Sequence, residues 1–239
     1  MLSPEIIIGA CRKMTEILYK SKDAIIIYKP AGVPSQSDPT GDKDAMTISG
    51  ELLRLSGERD ELYLIYRLDR VVGGLLIFAR NKKCAAYLSR LVSEEGMGKE
   101  YIAVVDGVAC DGVMKDYLYK DSKLGKAFVT DRARGGVKEA ELEFRVIESV
   151  NVDGKMKSLV SIILHTGRFH QIRAQFSHRG MPLVGDGKYG SRDKTVRMPS
   201  LFAHKLELSI FGDKISVKRL PDMAEYPWNL FAKESYDIL

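Results

Sequence analysis

Tyr66-Arg67-Leu68-Asp69-Arg70-Val71-Val72-Gly73-Gly74-Leu75-Leu76-Ile77-Phe78-Ala79-Arg80 is the stretch on which a reading of this chain turns. Apolar runs at 63–66 and 75–79 bracket its centre and read as buried strands. Between them lies one carboxylate, Asp69, close to Arg67 and Arg70 and followed by a Gly73-Gly74 pair that reads as the turn. A carboxylate placed where buried strands break open is rigidly held and next to positive charge. That setting suits a nucleophile or a general base, and equally a structural ion pair. The rest of the chain has to decide between them.

The chain has 239 residues, enough for a sizeable core in one large or two small domains. It contains no apolar run of about 18 residues, the length a membrane-spanning helix needs. Glu5 and the Arg12-Lys13 pair interrupt the short apolar run at the N-terminus, so no signal-peptide layout is expected. Cys11, Cys84 and Cys110 are odd in number and form no CxxC pair, which reads as reduced thiols in a cytoplasmic protein. The net charge is +5, but residues 165–205 alone carry eight basic side chains against two acidic ones. This segment of +6 is the footprint of a polyanion partner or a solvated basic loop.

Along the chain, Ala24–Lys29 reads as a buried strand, and Pro30-Ala31-Gly32-Val33-Pro34 forces a turn. Residues 35–44 read as a mobile polar loop, followed by a helix with Ile48, Leu52 and Leu55 on its apolar face. Asn81 is expected to cap a helix that buries Cys84, Leu88, Leu91 and Val92 and ends near Gly96. A strand at 99–107 carries Tyr101, a hairpin spans 115–130, and alternation from Ala140 to Val146 marks a strand with one wet face. A strand at 159–164 leads into a helix with Ile172 and Phe176 inside and Arg168, Arg173 and Arg179 gathered near one end. Then come a Gly-rich loop at 180–190, a strand from Leu201, a turn at Gly212-Asp213 and a helix over 223–232. Many strands with few, scattered helices predict an α+β fold. The expected division is an N-terminal extension at 1–15, a catalytic domain at 16–222 and a C-terminal tail or helix at 223–239.

His165, His170, His178 and His204 make no zincin, finger or deaminase spacing, so no metal is expected. Residues 185–190 lack the order of a phosphate-binding loop, and no GxSxG elbow is present.

What remains is Asp69 with arginines, a tyrosine and a basic segment, and here a family resemblance becomes specific. Residues 66–76 are similar to the HRLDxxTSGLLL motif of the RluA-type pseudouridine synthases. Lys99-Glu100-Tyr101-Ile102-Ala103-Val104-Val105-Asp106-Gly107 resembles their KxYxAxVxG motif. Thr166-Gly167-Arg168-Phe169-His170-Gln171-Ile172-Arg173, with Gly180 and Gly185-Asp186-Gly187-Lys188-Tyr189-Gly190, resembles TGRxHQIR…GxPxxGDxxYG. The likeness runs from about residue 16 to 222, and no separate N-terminal RNA-binding module is expected before Ala24. It implies that family's catalytic fold: a mixed, mostly antiparallel central sheet with flanking helices and a central RNA-binding cleft. Asp69 would be the catalytic aspartate and Arg70 the arginine that helps displace the target base. Tyr101 would stack on the flipped uracil, and Arg173 would pair with Asp69. Arg67, Arg168, His170 and Gln171 would contact RNA. Two departures stand out: Tyr66 replaces the motif's His, and Val72-Gly73 replaces its Thr-Ser.

The implied reaction breaks a C–N glycosidic bond and rejoins the same uracil through carbon, with no cofactor. Its routes share one demand, a positioned carboxylate beside the sugar–base link, as glycosidases also use. A free Asp titrates at about 3.9 and a nearby Arg lowers that, so Asp69 is expected to be charged at neutral pH. Extruding a stacked uridine costs a few kcal/mol, which an inserted arginine and an aromatic platform offset. The expected partner is an rRNA or tRNA stem-loop, with no membrane, no DNA and a monomeric enzyme. The alternative is a catalytically inactive RNA-binding or RNA-chaperone paralogue, motivated by the two departures. An Asp-dependent nucleosidase ranks last, because the motifs supply no second carboxylic acid.

Overall fold

The computed structural model describes residues 14–94, 96–133 and 135–239. Cys11, Arg12, Lys13 and nearly all of the expected N-terminal extension lie outside the described residues. The strands are β1 (Glu16–Lys20), β2 (Ala24–Lys29), β3 (Tyr63–Leu64), β4 (Gly73–Ala79), β5 (Gly98–Asp106), β6 (Gly112–Asp121), β7 (Lys126–Thr130), β8 (Val137–Val152), β9 (Lys155–Leu164), β10 (Leu201–Ile210) and β11 (Asp213–Lys218). The helices are α1 (Ala45–Leu55), α2 (Lys82–Ser93), α3 (Gln171–His178) and α4 (Glu234–Asp237), with 3-10 turns at Gly187–Tyr189 and Trp228–Leu230. The expected α+β class holds. The chain forms two compact units, one of residues up to Met97 with Leu206–Arg219, the other of Gly98–Lys205 with Leu220–Leu239.

In the first unit β1, β2 and β4 pair antiparallel. β4 (GGLLIFA) is buried at every position, as a run apolar on both faces requires. Its Leu75, Ile77 and Ala79 join Ala24 and Ile26 of β2, Cys84 and Leu88 of α2, and Leu206, Leu208 and Ile210 of β10 in one core. Asn81 caps α2 as expected, its side chain accepting from the Cys84 amide at 2.8 Å. Leu91 and Val92 pack against the same core.

Three expectations for this unit fail. The turn lies at residues 69–72, closed by the Val72 amide donating to the Asp69 carbonyl at 2.9 Å, and Gly73-Gly74 opens β4. Gly74 has φ +126 and sits opposite Lys29. The apolar run at 63–66 supplies only a two-residue strand, β3, half-buried. In α1 the buried residues are Ala45, Ser49, Gly50 and Leu53, while Leu55 is 85 % exposed. Small residues let that helix approach closely: a Cβ on Gly50 would meet the Asp60 carbonyl oxygen at 3.2 Å.

In the second unit β5, β9, β8, β6 and β7 follow one another by antiparallel pairing. The expected hairpin is β6–β7, and β8 buries Ala140, Leu142 and Phe144 as the alternation required. Helix α3 buries Ile172 and Phe176, and Phe176 meets Phe144 edge-on with centroids 5.0 Å apart. α3 also faces the sheet with two glutamines: Gln171 donates to the Glu141 carbonyl at 3.0 Å and Gln175 to the Met114 carbonyl at 3.2 Å.

The β10–β11 turn is Phe211-Gly212, one residue earlier than expected, with φ of 51° and 102°, the pattern a tight hairpin turn needs. The helix expected at 223–232 is absent. A 3-10 turn at Trp228–Leu230 stands there and the short α4 follows it, with Glu148 accepting from the Ala232 amide and the Ser235 hydroxyl. No helix of the described residues is long and apolar enough to cross a membrane.

Candidate active site

Asp69 opens the turn that feeds β4, and the residue is half-buried. The residues on either side are held by the segment from Lys29 to Asp42. Ser35 accepts from the Leu68 amide at 3.1 Å and donates to the Leu68 carbonyl at 2.8 Å. The Arg70 carbonyl takes the Gly32 amide at 2.7 Å and the Lys29 ammonium at 3.3 Å. Lys29 is fully buried and also donates to the Pro30 and Val33 carbonyls at 3.0 and 2.7 Å. Burial pulls its pKa down to about 7, opposed by the nearby Asp69 carboxylate and assisted by the Arg70 charge. The backbone beside Asp69 is therefore clamped from both neighbours. Sequence reading missed Lys29 and Ser35; the Lys-Pro pair ending a buried strand was the available signal, since a cation there must find acceptors.

Arg70 serves this clamp. Its Nε donates to the Gly32 carbonyl at 2.9 Å, Nη1 donates to Thr40 Oγ1 at 2.9 Å and lies 3.5 Å from Asp38, and Nη2 pairs with Asp42. The loop at 35–44, expected to be polar and mobile, thus bonds to Arg70 and closes on itself. The Asp38 side chain accepts from the Thr40 amide, and the Gly41 amide donates to the Asp38 carbonyl. Arg67 is exposed. The departures Tyr66 and Val72 carry apolar weight: Tyr66 packs on the first unit's core and Val72 is 2 % exposed.

In the second unit Tyr101 lies near the start of β5, opposite Ile162 of β9, and is buried. Arg173 projects from α3, 4 % exposed. Its Nε and Nη2 donate to the two oxygens of Asp186 at 2.6 and 2.8 Å, a fork-on-carboxylate pair that fixes the guanidinium plane. Asp186 precedes the 3-10 turn Gly187–Tyr189, and Gly185 before it has φ +81. A Cβ on Gly185 would lie 2.4 Å from the Met198 carbonyl oxygen, so only glycine fits.

The arginines expected to gather near one end of α3 take separate partners. Arg168 donates to the Glu139 carbonyl at 2.7 Å, Arg173 to Asp186, and Arg179 to Asp116. With Lys205 on Glu100, two charges of the +6 segment are offset by acids outside it. Gln171 is buried and holds a turn: its oxygen accepts from Thr166 Oγ1 and the Arg168 amide.

His170 has φ +53, stacks on Phe169 with centroids 3.8 Å apart, and shares a 2.9 Å hydrogen bond from Nδ1 to the Tyr189 hydroxyl. That hydroxyl also accepts from the Ala127 amide. Burial, then the charges of Arg173, Lys188 and Lys120, lower His170 to about 3, so the ring is neutral. Lys120 lies over Phe169, and Lys126 over Tyr189. The hairpin β6–β7 thus adds cations to this aromatic group, which a count along the sequence could not show. Among the described residues no group of three or more His, Cys, Asp or Glu side chains could hold a metal ion.

Residues 23–178 match the family model described as RNA pseudouridylate synthase. An uncharacterized RNA pseudouridine synthase of Zymomonas mobilis is 33 % identical over 218 residues, covering 88 % of this chain and 92 % of that protein. Another, from Haemophilus influenzae, is 29 % identical, covering 88 % and 89 %. Ribosomal large subunit pseudouridine synthase D of Borreliella burgdorferi is 26 % identical; the match covers 88 % of this chain and 65 % of that longer protein. In fold, the chain is similar to human RNA Pseudouridylate Synthase Domain Containing 1, with a TM-score of 0.74 at 22 % identity, covering 90 % of this chain and 86 % of that one. Three motifs in order, the fold and the family match converge: the chain belongs to the RluA-type RNA pseudouridylate synthases, isomerases that convert uridine in RNA to pseudouridine.

Proposed function

We propose that Asp69 is the carboxylate that acts at the sugar–base link of the target uridine. The observation that carries this reading is the clamp. Leu68 is held at both its amide and its carbonyl, and Arg70 at its carbonyl and guanidinium, while Asp69 between them stays half-exposed. A carboxylate with an immobile backbone loses little freedom on meeting its substrate, which is how orientation lowers a barrier. It attacks C1′ of the ribose or C6 of the base, or assists removal of the C2′ proton. The C1′–N1 bond breaks, the same uracil rejoins C1′ through its C5 carbon, C5 loses its proton and N1 ends protonated.

Tyr101 is proposed as the surface for the extruded base, and Arg173, held in plane by Asp186, as the guanidinium that supports the reacting carboxylate. The resemblance gave the stack-filling role to Arg70, but its guanidinium is occupied by Gly32, Thr40, Asp38 and Asp42. Arg67, exposed two residues before Asp69, is the better candidate to enter the vacated stack. Phe169, Lys120, Arg168 and Lys188 supply a basic and aromatic face for the RNA strand, with the neutral His170 as part of its floor. The substrate is proposed to be a stem-loop of cytoplasmic rRNA or tRNA, modified by a monomer. Retention of Asp69, Tyr101 and Arg173 favours turnover over an inactive paralogue.

Incubation of the pure protein with unmodified cellular RNA, without added cofactor, is expected to yield pseudouridine. Asp69→Asn is expected to abolish it with RNA binding retained. Product formation by Asp69→Asn at the wild-type rate refutes the assignment.

A further inference from the structure

The four groups around the Arg70 guanidinium are of two kinds. The Gly32 carbonyl on Nε belongs to the clamp and fixes the plane of the group. Asp38, Thr40 and Asp42 occupy the two outer nitrogens, and all come from a solvent-facing turn. The side chains of Arg70, Asp38 and Asp42 are 38 %, 29 % and 57 % exposed. A guanidinium fixed through Nε, with its outer fork toward solvent, has the geometry that receives a phosphate through two parallel N–H bonds. In this chain the Asp42 carboxylate fills Nη2 and the Thr40 hydroxyl fills Nη1, with the Asp38 carboxylate 3.5 Å from Nη1.

The turn also has bonds independent of these ion pairs. Its own bonds close it: Thr40 amide to the Asp38 side chain, Gly41 amide to the Asp38 carbonyl. Its entry is anchored by Ser35 on Leu68. Its exit is anchored by Asp44, which caps α1 through the Thr47 amide, and by the Ala45 amide on the Pro34 carbonyl. Lys43, the one cation of the turn, is engaged by Glu51 at 3.0 Å. The net charge that the turn presents to Arg70 is therefore negative, next to the residue proposed to react with RNA.

We propose that Asp38 and Asp42 are placeholders for an RNA phosphate: substrate exchanges them out of the Arg70 fork, and the turn swings away as the strand arrives. This deepens the RNA-isomerase reading and rests on it. The exchange penalises any RNA that does not place a phosphate at Arg70, so the turn acts as a selectivity element. It works by charge alone, since the turn offers carboxylates where a backbone phosphate must sit.

The test is a double-mutant cycle read by RNA binding, which does not depend on the identity of the reacting carboxylate. The variants are Asp38→Asn with Asp42→Asn, Arg70→Ala, and all three together, in the full chain. The probe is a fluorophore-labelled, uridine-containing RNA hairpin, titrated between about 50 and 300 mM salt. Asparagine keeps the turn-closing side-chain bond at 38, and unchanged thermal unfolding verifies the fold. The acid-to-amide pair is expected to tighten binding about threefold to tenfold, the scale of losing two exposed ion pairs. Arg70→Ala is expected to weaken binding and to lower the salt slope by about one contact. In the triple variant the gain is expected to vanish. A gain that persists in the Arg70→Ala background overturns the proposal, because the acids would then repel RNA directly. A weakened Arg70→Ala with no gain from the amides overturns the exchange and leaves Arg70 as an RNA contact. Failure of the wild-type chain to bind the hairpin, with no pseudouridine formed, removes the underlying reading as well.

Discussion

At the scale of single residues, burial decides what each charge can do. Arg173 and Asp186 are 4 % and 1 % exposed and joined by two bonds, so neither tolerates loss of the other. Asp186→Leu removes the carboxylate that takes two bonds from the buried guanidinium and is expected to cost about 3–5 kcal/mol in chemical unfolding. A loss below about 1 kcal/mol would mean that the pair is not isolated from water. His170 makes a second case. Its pKa is lowered from 6.5 to about 3, so between those values the unfolded chain binds a proton that the native chain does not. Its contribution to stability is present above pH 6.5 and is lost as pH falls toward about 3. The His170 ring resonances are expected to stay flat through the neutral range, where an exposed histidine titrates near 6.5. A midpoint near neutrality would show the ring to be solvated and charged. Lys29 follows the same logic for a buried base: lowered from 10.5 to about 7, it makes stability rise with pH between those two values.

At the scale of elements, periodicity located the helices better than it located their faces. In α1 the spacing of Ile48, Leu52 and Leu55 pointed to one stripe, and packing chose Ala45, Ser49, Gly50 and Leu53. Leu53→Ala is expected to destabilise by about 2–5 kcal/mol, and Leu55→Glu by no more than about 0.5 kcal/mol. Equal effects in denaturant titrations would restore the face read from sequence. In α3 the element is held by polar pegs, Gln171 and Gln175, that reach backbone carbonyls of β8 and β6. The left-handed residue before it, His170, sets where the helix begins. Neither follows from hydrophobic spacing, because a buried amide is tolerated only where an acceptor from another element meets it.

At the scale of the whole molecule, charge along the sequence and charge in space differ. Residues 165–205 carry the local excess, yet Arg173, Arg179 and Lys205 are paired with Asp186, Asp116 and Glu100. Lys120 and Lys126, outside that segment, lie over Phe169 and Tyr189 inside it. Combined Lys120→Ala, Lys126→Ala and Lys188→Ala substitution is expected to lower the salt slope of RNA binding by about 2–3 and to weaken binding for all RNAs alike. An unchanged slope would place the RNA elsewhere.

The family, the α+β class and most strands were legible because the three motifs carry unusual residues in a set order and the buried strands are continuous apolar runs. Asp69 stood out for the same reason: one acid where apolar strands break. What the sequence left open was how neighbours far apart in the chain meet. Ser35 reaches Leu68 across 33 positions and Asp42 reaches Arg70 across 28. Hydrogen bonds and ion pairs depend on distance in space, which local pattern does not encode. Only the tertiary structure therefore decided that Arg70 faces carboxylates, that Gln171 faces inward, and that the Asp69 backbone is gripped from both sides.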